Sequence, residues 1–226
     1  MSKTLKLSTK YFYGLGFVSV GIKDVLYTLF VFFFYNQVLG LDPLYTGLAT
    51  FLSLFFDAFS DPIIGIISDN YKFKNLGRRH PFMLISAIPL GISTWLLFVP
   101  PTHLSEIQLF CWLVFFSVLI RFFLTLYIVP AMSLGAEMSS NYNERTEITS
   151  FRISFTTVLQ PIIFLIGVYF FFTPELGMNT ALENINSYSP FALYCGGLMT
   201  LCILISTYGT IDIIPKLPCN SKKPVS

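Results

Sequence analysis

Six apolar runs, each long enough to cross about 30 Å of hydrocarbon, dominate the chain: residues 12–35, 46–67, 82–99, 107–132, 153–172 and 190–208. Inside a bilayer every backbone amide must be satisfied within its own segment, so runs of this kind fold as helices. The sequence therefore predicts an all-α, polytopic membrane protein with six transmembrane helices. Of 226 residues 12% are charged, about half the share of a soluble domain. The net charge is only +2, with the basic residues in short clusters between apolar runs, so no nucleic-acid partner is expected. The first run is longer than a signal-peptide core and no small-residue cleavage site follows it, so it is expected to be retained. Cys111, Cys195, Cys202 and Cys219 form no CxxC pair and have no zinc-spaced histidine, and buried thiols are expected.

The connections are short and carry turn or breaker residues: Gly40 and Pro43, Asn75 to Gly77, Pro100 and Pro101, Asn141 to Asn143, Pro174 and Gly177. One set of segments holds Lys3, Lys6, Lys10, Lys72, Lys74, Arg78, Arg79, Arg145, Arg152, Lys216, Lys222 and Lys223, which is twelve of the 14 basic residues. The opposite loops hold Asp42, Glu106, Glu175 and Glu183 and no basic residue. The positive-inside rule then puts both termini on the cytoplasmic side of the cytoplasmic (inner) membrane.

The two remaining basic residues, Lys23 and Arg121, fall inside spans, together with Asp24, Asp57 and Asp61. A charge at the bilayer centre costs roughly 2.5 to 3.5 kcal/mol on the lenient insertion scale, so these five imply mutual pairing and a polar cavity near the midplane. Asp57 and Asp61 are four apart, which puts both carboxylates on one helix face, one turn apart. Two such anions resist joint ionisation: one is protonated, or a cation sits between them. Those are the two states that a sodium- or proton-coupled symporter exchanges. Pro62 has no amide hydrogen and leaves the carbonyl of Ala58 without its helical donor, a spare hard ligand beside the Ser60 hydroxyl. Arg121 shares a face with Thr125 and Ile128 and is placed to neutralise Asp57 or Asp61 when no ion is present. Lys23 and Asp24 point about 100° apart on a helix, so the helix does not oblige them to pair. Tyr27, Tyr35 and Tyr127 are candidates to stack on a sugar ring, with lipid packing the default for so aromatic a chain.

The run Asp57-Ala-Phe-Ser-Asp61-Pro62-Ile-Ile-Gly65-Ile-Ile-Ser-Asp69, followed by Gly77-Arg78-Arg79-His-Pro81, resembles the glycoside-pentoside-hexuronide:cation symporters of the major facilitator superfamily. Tyr13-Gly-Leu-Gly16, Val129-Pro130, Leu134-Gly-Ala-Glu137, Glu144-Arg145-Thr146, Phe151-Arg152 and Ile214-Pro215-Lys-Leu-Pro218 extend the likeness over nearly the whole chain. The resemblance implies the N-terminal bundle of that fold, a cation site (Na+ or H+) at Asp57, Ser60, Asp61 and Thr125, and a sugar-contacting arginine at Arg152. It also implies a conformational latch at Gly65, Asp69, Gly77, Arg78 and Arg79. Substrate is expected at the midplane beside Lys23, Asp24, Arg121 and Arg152. The two acidic residues that bind galactoside in the family fall at Gly21 and Ile128, so a galactoside is not the expected solute.

Such symporters have twelve helices in two bundles, whereas residues 1–215 hold six and 216–226 resemble the start of the central loop. The sequence thus reads as an N-terminal half or fragment that requires a second six-helix half or a homodimer partner. No cofactor beyond the coupling ion is expected. Enzyme readings fail on spacing: metal-dependent phosphoalcohol transfer requires Asp-x-x-Asp-Gly, and an intramembrane aspartyl protease requires its aspartates on facing helices. A non-transporting scaffold or regulatory subunit is the alternative.

Overall fold

The protein, represented by a computed structural model, is described over residues 5–70, 77–173 and 180–216. Of the residues singled out by sequence, Lys3, Lys72, Lys74, Asn75, Pro174, Glu175, Gly177, Pro218, Cys219, Lys222 and Lys223 lie outside that set, as does the expected central loop past its first residue. Six long helices carry the apolar runs: α1 (Leu7–Val38), α2 (Pro43–Asn70), α3 (His80–Leu97), α4 (Glu106–Glu137), α5 (Tyr142–Phe171) and α6 (Ile185–Ile213). Most are longer than the hydrocarbon-crossing stretches; α5 begins at Tyr142, taking in the polar turn that precedes its apolar run.

Local chemistry sets the ends. Ser105 and Gln108 form a capping box at the start of α4. The side chains of Asn141 and Asn184 accept from the amides of Asn143 and Asn186 at 2.9 and 3.0 Å, capping α5 and α6. After α1 the chain turns at Gly40, whose φ of 74° is closed to most side chains. α1 is not uniform. It loosens at Phe17, and Leu26–Val31 and Phe34–Val38 form π-helical turns, as do Gly167–Phe171 at the far end of α5.

Helix α3 packs on α4 and α6, α2 lies along α4, and α1 lies along α5 and α6. At the α3–α6 crossing a Cβ added to Gly91 would sit 2.6 Å from the Gly196 carbonyl oxygen, and one on Gly196 would meet the Gly91 carbonyl in turn. That backbone-to-backbone approach is the small-residue packing by which membrane helices associate. Towards the loop ends, Phe30, Phe34, Phe98, Phe172, Tyr188 and Phe191 form one aromatic core, with ring centroids as close as 4.4 Å for Phe34 and Tyr188. Tyr35 and Tyr127 belong to this interior: Tyr35 donates to the Leu97 carbonyl at 2.6 Å, and the Tyr127 hydroxyl lies 3.3 Å from Ser206 Oγ. They face neither lipid nor a cavity, because each hydroxyl finds its partner in the bundle. Cys195 and Cys202 are buried free thiols as expected, whereas Cys111 is exposed on α4.

Burial is uneven. In the most apolar stretch of α2 only 17% of residues are buried and in that of α5 only 11%, against 44% to 56% elsewhere. Helices α2 and α5 are therefore the rims of the bundle, and the surface they frame over α4 and α1 carries the intramembrane charges.

Candidate functional site

The buried stripe of α2 runs through Thr46, Ala49, Ser53, Ser60, Ile64 and Ser68, facing α4. Asp57 stands at its edge, half-buried, and Asp61 stands clear of it, exposed. Arg121 on α4 donates from Nη1 to Asp57 Oδ2 at 2.6 Å and from Nε to Ser53 Oγ at 2.9 Å. The guanidinium also lies 5.6 Å from the centre of the Tyr27 ring. Sequence spacing left Arg121 a choice of two aspartates, and it pairs with Asp57. Among the described residues the other, buried Asp57 oxygen has no hydrogen-bond partner, so the polar pocket around the ion pair is not saturated.

Asp61 makes no ion pair or hydrogen bond among the described residues. The Ser60 hydroxyl turns into the α2–α4 interface and lies 3.4 Å from the carbonyl of Asp57. Thr125 is buried one turn beyond Arg121. Of the expected cation set, then, Asp57 and Asp61 share the open face, while Ser60 and Thr125 lie within the packing beneath it.

Lys23 and Asp24 do pair, with Nζ 2.6 Å from Oδ1. The 100° between neighbouring positions is bridged by the length of the lysine stem, which curls back along the helix instead of reaching across the face. Gln160 on α5 donates to the second Asp24 oxygen at 3.5 Å, and the two line a cavity of about 300 Å³ with Val25, Thr28, Leu29 and Phe164. A second cavity of about 290 Å³ lies between α1, α4 and α5, with Arg152 at its wall. Arg152 sits 5.7 Å over the Phe17 ring. At Gly21 an added Cβ would strike the carbonyl oxygen of Thr156 on α5. The position is used for helix contact and has no room for a carboxylate, while Ile128 lines the Arg152 cavity.

At the end of the bundle that carries the α2–α3 connection, Arg79 forks onto Glu137 at the end of α4, with both bonds at 2.7 Å. Arg78 reaches the same carboxylate at 3.2 and 3.3 Å, and Asp69 lies 3.5 Å from Arg79. Gly77 has a φ of 69°, which turns the chain into this cluster. Gly65, half-buried on α2, lies against Val129. Glu137 is the member that sequence reasoning quoted in a motif but gave no role; its place at the last turn of a helix, in a chain with so few acids, was the available signal. Ser53 and Tyr27 were likewise given no place at the ion pair, since neither pairing is visible in spacing. A further cluster ties α1 to α5: Lys10, nearly fully buried, lies 2.5 Å from Glu147 and 3.5 Å from Glu144, and Glu144 accepts from the amide of Leu5.

The fork predicts an asymmetry. Glu137→Gln leaves two guanidinium groups facing an uncharged amide, one of them 6% exposed, and is expected to lower stability by about 2 kcal/mol. Asp69→Asn, at a carboxylate 56% exposed, is expected to cost a small fraction of that. Thermal unfolding of the two detergent-solubilised variants checks this; equal losses would contradict it.

A family model described as MFS/sugar transport protein matches residues 12–225. An uncharacterized symporter of Synechocystis sp. is 30% identical over an alignment 173 residues long that covers 73% of this chain and 32% of the relative. The inner membrane symporter YicJ of Escherichia coli is 25% identical over 174 residues, 74% of this chain and 37% of the relative. The sodium-dependent lysophosphatidylcholine symporter 1 of Gallus gallus is 24% identical over an alignment 248 residues long, gaps included, that covers 98% of this chain and 46% of the relative. The chain thus spans between a third and a half of the length of these relatives.

Proposed function

Because the chain belongs to the MFS/sugar transport protein family, we propose that its six helices form the N-terminal half of a cation-coupled symporter for a small polar solute, a sugar or glycoside in class. It is a multi-pass membrane protein, and transport, not bond-making chemistry, is the activity proposed. In this reading a sodium ion or proton enters at the Asp57–Asp61 face, displacing or relaxing the hold of Arg121 on Asp57. The solute occupies the cavities beside Asp24 and Arg152, and a second six-helix unit, from a partner half or another copy, covers the open surface between α2 and α5. Arg78, Arg79, Asp69 and Glu137 hold the closed end and exchange partners as the bundles rock. The basic clusters favour placing both termini on the cytoplasmic side of the inner membrane.

The observation that supports this reading most is the ion pair Asp57–Arg121 at 2.6 Å with an unpaired carboxylate, Asp61, one turn away on the same open face. Charges placed at such depth on a face that the bundle itself leaves uncovered are costly unless ions or a partner meet them there. In membrane vesicles containing the protein, an imposed sodium or proton gradient is expected to drive accumulation of labelled glycosides. Asp57→Ala and Asp61→Ala are each expected to abolish the gradient-driven part. Undiminished accumulation in both variants would remove the coupling role and leave the scaffold reading.

A further inference from the structure

Two charges on the open face lack a counter-charge among the described residues: Asp61 on α2, which is exposed, and Arg152 on α5, which is half-buried. Lys23 is held by Asp24 and Arg121 by Asp57. The two unpaired groups have opposite signs and stand on opposite rims, α2 lying along α4 and α5 along α1. Asp61 is nine residues before the end of α2 and Arg152 ten residues after the start of α5. Successive helices alternate in direction, so those two ends are on the same side of the bundle. At 1.5 Å per residue both groups are therefore roughly 14 to 15 Å in.

One turn from Asp61 on either side stand Ala58 and Gly65, too small to screen its carboxylate from a group approaching from outside. The cavity at Arg152 holds no carboxylate among the described residues, and the Thr156 hydroxyl at its edge is spent on the Arg152 carbonyl at 3.0 Å. A lone charge at this depth is costly, and lipid chains offer it nothing, whereas a guanidinium and a carboxylate satisfy each other with two parallel bonds. A two-fold axis along the membrane normal keeps every residue at its own depth and lays the α2 rim of one copy on the α5 rim of another. Asp61 of each copy then meets Arg152 of the other, and the two groups of like sign stay on opposite flanks. An axis in the membrane plane would invert one copy. With α2 28 residues long, the opposite charges would then lie roughly 14 Å apart in depth, so only the parallel arrangement pairs them.

We infer that the open face is a self-complementary interface with a second copy of this chain, a parallel two-fold dimer in which Asp61 of each copy pairs with Arg152 of the other. The inference rests on the reading above only in that a second six-helix unit covers this face, and it assigns that unit to the same chain. Each cavity beside Arg152 is then incomplete in one chain alone, because its carboxylate is supplied by the second copy. A cation arriving at Asp61 competes with that pair, so the same contact that closes the empty dimer is the one loading would loosen.

The test is made on the full chain in phosphatidylcholine vesicles, with one fluorophore per copy and bleaching steps counted spot by spot. Wild-type protein is expected in two-step spots. Asp61→Arg and Arg152→Asp each put like charges into both contacts and are each expected to lower the dimer fraction about tenfold or more. Mixing these two variants in different colours restores an opposite-sign pair at both contacts, so two-colour spots are expected at the wild-type level. That rescue also reports that both variants fold. If either fails to insert, Asp61→Asn and Arg152→Gln take their place, each expected to weaken self-association about tenfold. Monomeric wild-type protein overturns the inference and leaves the face to lipid or to a separate six-helix half. Dimers indifferent to the charge at both positions, a mixture that stays monomeric, or assemblies larger than two overturn it as well. Coupling is read separately, by gradient-driven accumulation. Dimers whose accumulation is undiminished by Asp57→Ala and Asp61→Ala would defeat the coupling and spare the dimer, and coupled accumulation by chains that bleach in one step would do the reverse.

Discussion

Asp57→Asn is expected to destabilise the bundle by about 3 kcal/mol, and adding Arg121→Gln to it is expected to recover most of that loss. The single substitution leaves a guanidinium 11% exposed with only Ser53 and the Tyr27 face for company, deep in the membrane. The double substitution replaces two ions by two neutral amides, so no uncompensated charge is left in the membrane. Coupling of this sign and size belongs to partners that are in contact and desolvated together. Reversible unfolding of the wild type, both single variants and the double in lipid bicelles measures it. A double variant as unstable as the sum of the singles would show that the pair contributes nothing as a pair.

Substituting valine at Gly91 or Gly196 is expected to have the largest effect of all on folding, with loss of most folded protein. At both sites the partner helix's backbone, the Gly196 or Gly91 carbonyl, stands in the way, with the Thr200 hydroxyl beside it at Gly91, and no side-chain rotation can move a backbone aside. Helices α3 and α6 would have to separate, opening the aromatic core above them and losing dispersion contacts that lipid cannot replace as closely. Gly197 is the matched control: an added Cβ there meets nothing within 4 Å, so Gly197→Val is expected to be nearly silent. The yield of monodisperse protein from membranes reports the contrast, and a Gly197 variant as poor as the other two would mean that valine is harmful to the helix itself.

The spans and the intramembrane charges were legible because the bilayer makes both expensive to misplace. Apolar runs of sufficient length can only cross, and a charge such as Arg121 can only sit where something meets it. The face shared by Asp57 and Asp61 followed from helical geometry alone. What spacing does not encode is the third dimension between helices. It could not say that Arg121 would take Asp57, that Ser60 would turn into the α2–α4 seam, or that Glu137 would receive both Arg78 and Arg79. The Lys23–Asp24 pair shows a different blind spot: Cβ directions predict separation, yet a four-carbon stem closes the gap to 2.6 Å. Gly21 and Gly91 look alike in the sequence, and only the neighbouring backbone reveals that each is a point of contact.

The widened turns of α1 have a practical corollary for anyone labelling this protein. A turn closed five residues back holds one residue more than an α-helical turn, so everything beyond it is rotated by roughly 100° relative to an unbroken count. With two such stretches, at Leu26–Val31 and Phe34–Val38, a helical wheel drawn from Leu7 loses its phase before the helix is finished. Phe30, Val31, Phe34 and Tyr35 are all within 2% of full burial, the face that these widened turns keep inside the bundle. A probe attached beyond Leu26 on the strength of the wheel would land among aromatic rings instead of on the exposed flank for which it was chosen.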